Sequence, residues 1–183
     1  MKIKSLTIYC SASQKLDKKF YKMAKETAEI ISNHQIKVIY GGGNVGLMGE
    51  IARTLIKLKR DVIGIIPKFL IKKEKLNLKL TDLKVVTNMS KRKEYLFKLG
   101  DAFLILPGGT GTLEEVVEVL SWKILKLHNK PIIFFNFNNY WSPLIKQFEN
   151  IIENKFGNKN LQNQFLVIKN SKQLNKILNS WTK

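Results

Sequence analysis

Short apolar runs recur along the chain, and between them apolar residues fall back to every third or fourth position. Leu6–Cys10, Lys37–Tyr40, Val62–Ile66, Leu83–Thr87, Ala102–Leu106, Pro131–Phe135 and Phe165–Ile168 read as buried strands. The segments near 15–33, 46–59, 89–99, 113–127 and 143–155, with a last one near 171–181, carry helical spacing. This alternation predicts a Rossmann-like, three-layer α/β fold, a mostly parallel central sheet flanked by helices. No linker or repeat divides the 183 residues, so one domain is expected over 1–183. Lys72-Lys-Glu-Lys-Leu-Asn-Leu-Lys79 reads as a solvated connection, and the Asn/Lys-rich 154–164 segment as a loop before the last strand.

In such a sheet, ligands bind beyond the carboxyl ends of the strands. That rule gathers four loops on one edge: Cys10-Ser-Ala-Ser13, Gly41-Gly-Gly-Asn-Val-Gly-Leu-Met-Gly49, Thr87-Asn-Met-Ser-Lys-Arg-Lys93, and Leu106-Pro-Gly-Gly-Thr-Gly-Thr-Leu-Glu-Glu115. Most of the chain's informative polar residues lie there.

Composition narrows the choice. Hydrophobic residues make up 44% of the chain, enough for a sizeable core. No apolar run reaches the length of a membrane span, and the opening residues enter a strand at once, which predicts a chain with no secretory leader. Cys10 is the only cysteine, so an intrachain disulfide and a cysteine-based zinc site are excluded and a reducing cytoplasm is expected. The net charge is +18, and most of the excess is Lys spread from Lys2 to Lys183. With no basic arm, stacking cluster or nucleic-acid motif, this reads as a solvated surface rather than a nucleic-acid interface. Its field can still draw an anionic small molecule toward the site.

Gly41, Gly43 and Gly46 formally match the dinucleotide pattern G-x-G-x-x-G, but after the second strand and with no acid at the end of the next strand to hold a ribose. They read better as a loop whose backbone approaches a ligand or another backbone closely. Pro107-Gly-Gly-Thr-Gly-Thr112 is a second glycine-rich turn that opens a helix. Bare N–H groups at a helix N-terminus favour a phosphate. Without a Gly-Lys-Ser/Thr ending, a monophosphate fits better than a triphosphate with magnesium. Thr112-Leu-Glu-Glu115 also has the form of a capping box, with Thr112 as cap and Glu115 reaching back to its amide. Arg92 and Lys93 stand near the start of a helix, where cations oppose the dipole, which suggests use on an anionic ligand.

The segments Gly41–Gly49 and Pro107–Glu115 resemble the two signatures of the Lonely Guy family, the cytokinin riboside 5′-monophosphate phosphoribohydrolases often labelled lysine decarboxylases. Trp122, Leu125, His128, Lys130, Pro131, Asn136 and Tyr140 continue the likeness, which covers roughly residues 7–145. The resemblance implies a homodimer that needs neither metal nor cofactor. It implies hydrolysis of the N-glycosidic bond of AMP or an N6-substituted adenine nucleotide to free base and ribose 5-phosphate. The family's essential arginine and glutamate match Arg92 and Glu115. Matched positions expected to touch substrate are Ser13, Gly42, Gly43, Met89, Lys93, Gly108, Gly109, Thr110, Gly111 and Thr112.

The chain departs from the family in two places. Ser11 and Ala12 stand where Gly and Ser are usual. Ser90-Lys91 replaces His-Glu, which predicts an added positive charge near the base pocket. A non-catalytic nucleotide-binding module on the same fold is the alternative reading. Lysine decarboxylation would need a lysine singled out for a pyridoxal phosphate Schiff base, and no motif singles one out.

Overall fold

The computed structural model describes residues 2–76 and 79–182. Its seven strands are β1 (Ser5–Tyr9), β2 (Lys37–Tyr40), β3 (Val62–Pro67), β4 (Asp82–Val86), β5 (Ala102–Ile105), β6 (Ile132–Phe135) and β7 (Leu166–Ile168). They form one sheet in the order β4-β3-β2-β1-β5-β6-β7, with every neighbouring pair parallel. A parallel pair cannot be closed by a tight turn, so a crossover follows each strand. The helices are α1 (Lys18–Asn33), α2 (Gly46–Lys57), the short α3 (Ile71–Glu74), α4 (Met89–Leu99), α5 (Thr110–Ile124), α6 (Ser142–Glu153) and α7 (Ser171–Thr182). Each strand expected from the apolar runs is present, with its ends shifted by at most a residue or two.

Because successive strand residues face opposite ways, the sheet feeds two cores. On one face Leu6, Ile8, Val38 and Leu104 pack with Met23, Ala24 and Ile31 of α1, Leu47 and Ile51 of α2, and Leu174 and Leu178 of α7. On the other, Tyr9, Ile39, Ile65, Phe103, Ile105 and Phe134 pack with Leu96 of α4, Val116 and Val119 of α5, and Phe148 of α6. Burial of these apolar side chains is the main stabilising term.

Strand order reverses between β1 and β5, which opens a crevice at their carboxyl ends. An aromatic cluster fixes α4 against α5 below it. Phe97 meets Trp122 edge-on at 4.9 Å and His128 at 5.1 Å. Lys130 Nζ lies 4.4 Å from the Phe97 ring centre and donates to the Phe97 carbonyl at 2.5 Å. His128 Nε2 lies 2.8 Å from the Val119 carbonyl. These contacts set the distance between the two helices that carry the site.

Four local expectations are corrected. Helix α5 begins at Thr110, three residues earlier than the periodicity suggested, because Gly109 takes the extended cap conformation. Thr112 is therefore inside the helix, and no hydrogen bond joins Glu115 to its amide among the described residues, so the capping box is not formed. The supposed solvated connection contains α3, while its residues 77 and 78 lie outside the described residues. The 154–164 segment includes a 3-10 helix, Lys159–Gln164, with Leu161 buried.

Candidate active site

The loop after β1 is latched to both neighbours at the crevice. Ser11 N donates to the Pro107 carbonyl at 3.1 Å, and Leu47 N donates to the Ser11 carbonyl at 2.9 Å. Gly46 makes the second latch possible: its φ is +59°, and a Cβ there would lie 2.6 Å from the Ser11 carbonyl oxygen. Ser13 N bonds the Ser11 hydroxyl at 3.0 Å, so Ser11 braces the turn that presents Ser13.

These loops enclose a cavity of about 650 Å³, a size that suits a small-molecule ligand. One end is the N-terminus of α5. Gly109 has no side chain with which to satisfy the first-turn N–H groups, and these face the cavity with Thr110, Gly111 and Thr112. One turn further, Glu115 also lines the cavity. It is half-buried, and its pKa is pushed up to about 7. Burial is the main cause; Glu114 and Glu74 add to it, while the Arg92 charge opposes it.

Arg92 reaches the same cavity from the first turn of α4. That turn is capped by Asn88, whose side chain accepts from Lys91 N at 2.9 Å. Arg92 is only 6% exposed, rare for an arginine, and it lies under the backbone of Gly41. A Cβ on Gly41 would fall on an Arg92 guanidinium nitrogen. Its partner is Glu74 at the end of α3, with Nη1 3.6 Å from Oε1. Burial raises the Glu74 pKa, and Arg92 works against that shift. Apolar residues Val45, Met48, Leu70 and Met89 line the wall on this side.

A family profile described as "possible lysine decarboxylase" matches residues 48–178. A cytokinin riboside 5′-monophosphate phosphoribohydrolase from Rhodococcoides fascians is 41% identical over 147 residues, which are 80% of this chain and 74% of that protein. One from Arabidopsis thaliana is 33% identical over 180 residues, which are 98% of this chain and 84% of that protein. The chain belongs to the Lonely Guy family. The fold is shared more widely. The molybdenum cofactor carrier protein of Chlamydomonas reinhardtii superposes with a TM-score of 0.74 over 99% of this chain and 98% of that one, at 16% identity.

Of the positions matched to the family, Ser13, Met89, Arg92, Gly109, Thr110, Gly111, Thr112 and Glu115 line the cavity together. Gly108 lies just outside it, where its carbonyl accepts from the Tyr140 hydroxyl at 2.6 Å. Gly42 and Gly43 stand behind the wall; Gly42 packs on Ile66 and Gly43 on Glu74 and Met48. Lys93 is elsewhere. Helical rotation turns it away from its neighbour Arg92 and toward α5, where it pairs with Glu114 at 2.5 Å and Glu118 at 3.0 Å. Lys91 likewise adds no charge to the cavity, because it is exposed and held by Glu94 at 2.8 Å. The residue that sequence reasoning missed is Glu74. Its one signal is a lone acid among Lys72, Lys73 and Lys75, which reads first as a solvated run.

Proposed function

We propose that this chain hydrolyses the N-glycosidic bond of adenine-type nucleoside 5′-monophosphates, releasing free base and ribose 5-phosphate. One observation carries the reading. An open helix N-terminus, a buried arginine and a half-buried glutamate line one cavity, groups that suit a phosphate, a base and a sugar. The names of the relatives support the same chemistry.

In this reading the first-turn amides of α5, with Thr110, Thr112 and Ser13, hold the phosphate. The sugar then lies against Glu115. As the C1′–N bond breaks, its electron pair leaves with the base and positive charge grows on the ribose ring. The Glu115 carboxylate stabilises that charge and takes a proton from the water that bonds to C1′, and this proton then passes to the departed base, which restores the carboxylate. Arg92 stays charged throughout, so it stabilises the negative charge on the departing base rather than donating a proton to it. Enclosure strengthens both interactions relative to water.

Lysine decarboxylation, which the family description mentions, lacks a suitable residue among the described residues. The lysines lining the cavity, Lys15 and Lys73, are both exposed, and the buried-side Lys123 and Lys130, whose pKa values burial lowers, lie elsewhere. A pyridoxal phosphate Schiff base needs an enclosed amine beside the ligand.

The phosphate subsite gives the test. AMP should exceed adenosine in kcat/KM by at least about a hundredfold, since remote binding energy raises turnover at the reacting bond. Equal values would remove the phosphate from α5.

The reading includes a homodimer, which we infer from the outer side of α5 and the turn after it. Leu113 and Val117 are more than a third exposed, and Leu125 and Leu127 about two thirds exposed. Such a stripe fits a second copy of this chain. Light scattering should give twice the 21.1 kDa chain mass, and Leu125→Glu with Leu127→Glu should give the single mass. A wild-type monomer at micromolar concentration would refute the inference. No helix among the described residues is long and apolar enough to cross a membrane. We place the protein in the cytoplasm, where its buried lone thiol would stay reduced.

A further inference from the structure

Glu74 and Arg92 form a buried pair that is incomplete. Their contact is a single 3.6 Å approach, not a two-bond fork. Among the described residues each retains a buried polar atom with no hydrogen-bond partner, Oε2 of Glu74 and Nε of Arg92. Such orphans are costly and few in folded proteins. One is an acceptor and the other a donor, and both residues line the cavity.

Their position within the cavity follows from the sheet. The phosphate turn follows β5, and Glu74 sits on the glycine turn after β2, against Gly43, two strand spacings away in the order β2-β1-β5. At about 4.8 Å per spacing that is about 10 Å. Arg92 lies under Gly41 of the same turn, and Glu115 stands one turn into α5. An extended nucleotide with its phosphate on α5 therefore places its base beside Arg92 and Glu74, against the apolar wall of Val45, Met48 and Met89. The Glu74 backbone is fixed there, because Asn44 N donates to its carbonyl at 2.9 Å. Its side chain needs only a rotation to turn Oε2 to the ligand.

We propose that Glu74 is the residue that selects the base, accepting from a 6-amino group while Arg92 donates to the adjacent ring nitrogen. This rests on the nucleotide reading above. Adenine presents a ring-nitrogen acceptor next to an amino donor, the complement of this pair. On the N7 edge a 6-oxo purine presents two acceptors, N7 and O6, so its oxygen would face the Glu74 carboxylate with no proton between them. A single N6 substituent leaves one N–H and is tolerated; a dialkylated N6 has none and is rejected. The Arg92 contact also puts the charge where the leaving base needs it.

The test is binding, measured by calorimetry in the Glu115→Gln background so that ligands stay intact. AMP, IMP and ribose 5-phosphate are titrated with Glu74 present, with Glu74→Gln and with Glu74→Asp. AMP should bind about 10- to 100-fold more tightly than IMP when Glu74 is present. Gln, which can turn its amide to donate to a 6-oxo group, should contract that ratio at least tenfold. Asp should keep part of it, and ribose 5-phosphate affinity should stay within twofold throughout, which also reports an intact fold. A ratio near one with Glu74 present would overturn the proposal. So would an equal loss for AMP and IMP in Glu74→Gln, which would make Glu74 only a positioning residue for Arg92. Failure of wild-type protein to release base from AMP would instead sink the hydrolase reading and leave these ratios to stand.

Discussion

Glu115→Gln is expected to lower kcat for AMP at least about a hundredfold while leaving the protein folded and, above pH 7, more heat-stable than wild type. The activity loss follows from chemistry. Gln fills the same space but carries no negative charge opposite the ribose and cannot take a proton from water. The stability gain follows from burial. The folded Glu115 carboxyl holds its proton to about pH 7, against an ordinary value of 4.5. Between those pH values the folded state binds more protons than the unfolded chain, so wild-type stability falls as pH rises and levels off above 7. Gln escapes this loss, on the order of 3 kcal/mol at full ionisation. The two melting curves should therefore coincide near pH 4 and separate above pH 5. The same ionisation predicts that wild-type kcat/KM rises with pH through an inflection near 7. Glu114→Gln is the control; Glu114 is exposed and pairs only with Lys93 among the described residues, so turnover should stay within about twofold. Equal activity in Glu115→Gln would remove Glu115 from the mechanism.

Arg92→Lys is expected to lower kcat by about a hundred- to a thousandfold with the fold retained. A lysine keeps the charge but is shorter in its hydrogen-bonding reach and lacks the planar fork. It would lose either the Glu74 contact or the base. Gly41→Ala should approach the same loss with every charged residue left in the chain, because its new Cβ would fall on the Arg92 guanidinium and displace it. Measured kcat for both variants with AMP, alongside circular dichroism, checks the pair. Near-native turnover in Arg92→Lys would mean that the buried arginine is structural.

Much of this site can be read in the sequence because its parts lie at strand ends. Apolar runs give the strands, the parallel sheet gives the edge, and the two glycine-rich turns fall on that edge. What escapes is set by side-chain direction and by contacts distant in sequence. Lys93 adjoins Arg92 in the chain, yet one step on a helix turns a side chain by about 100°, so Arg92 points into the cavity and Lys93 onto α5. The Thr112–Glu115 spacing satisfies a capping rule, but the rule needs Thr112 to stand outside the helix, and Gly109 starts the helix first. Glu74 lies among lysines in a stretch with weak periodicity. Contacts distant in sequence, such as the hydrogen bonds from Asn44 to Glu74 and Lys75 across the glycine turn after β2, bring it over the site.

The most direct measurement is chromatographic product analysis of AMP incubated with wild-type protein and with Glu115→Gln. The wild-type protein should release adenine and ribose 5-phosphate in equal amounts, with no adenosine, and the variant should release neither at a comparable rate. Intact AMP after prolonged incubation with folded wild-type protein, or equal release by the variant, would contradict the account.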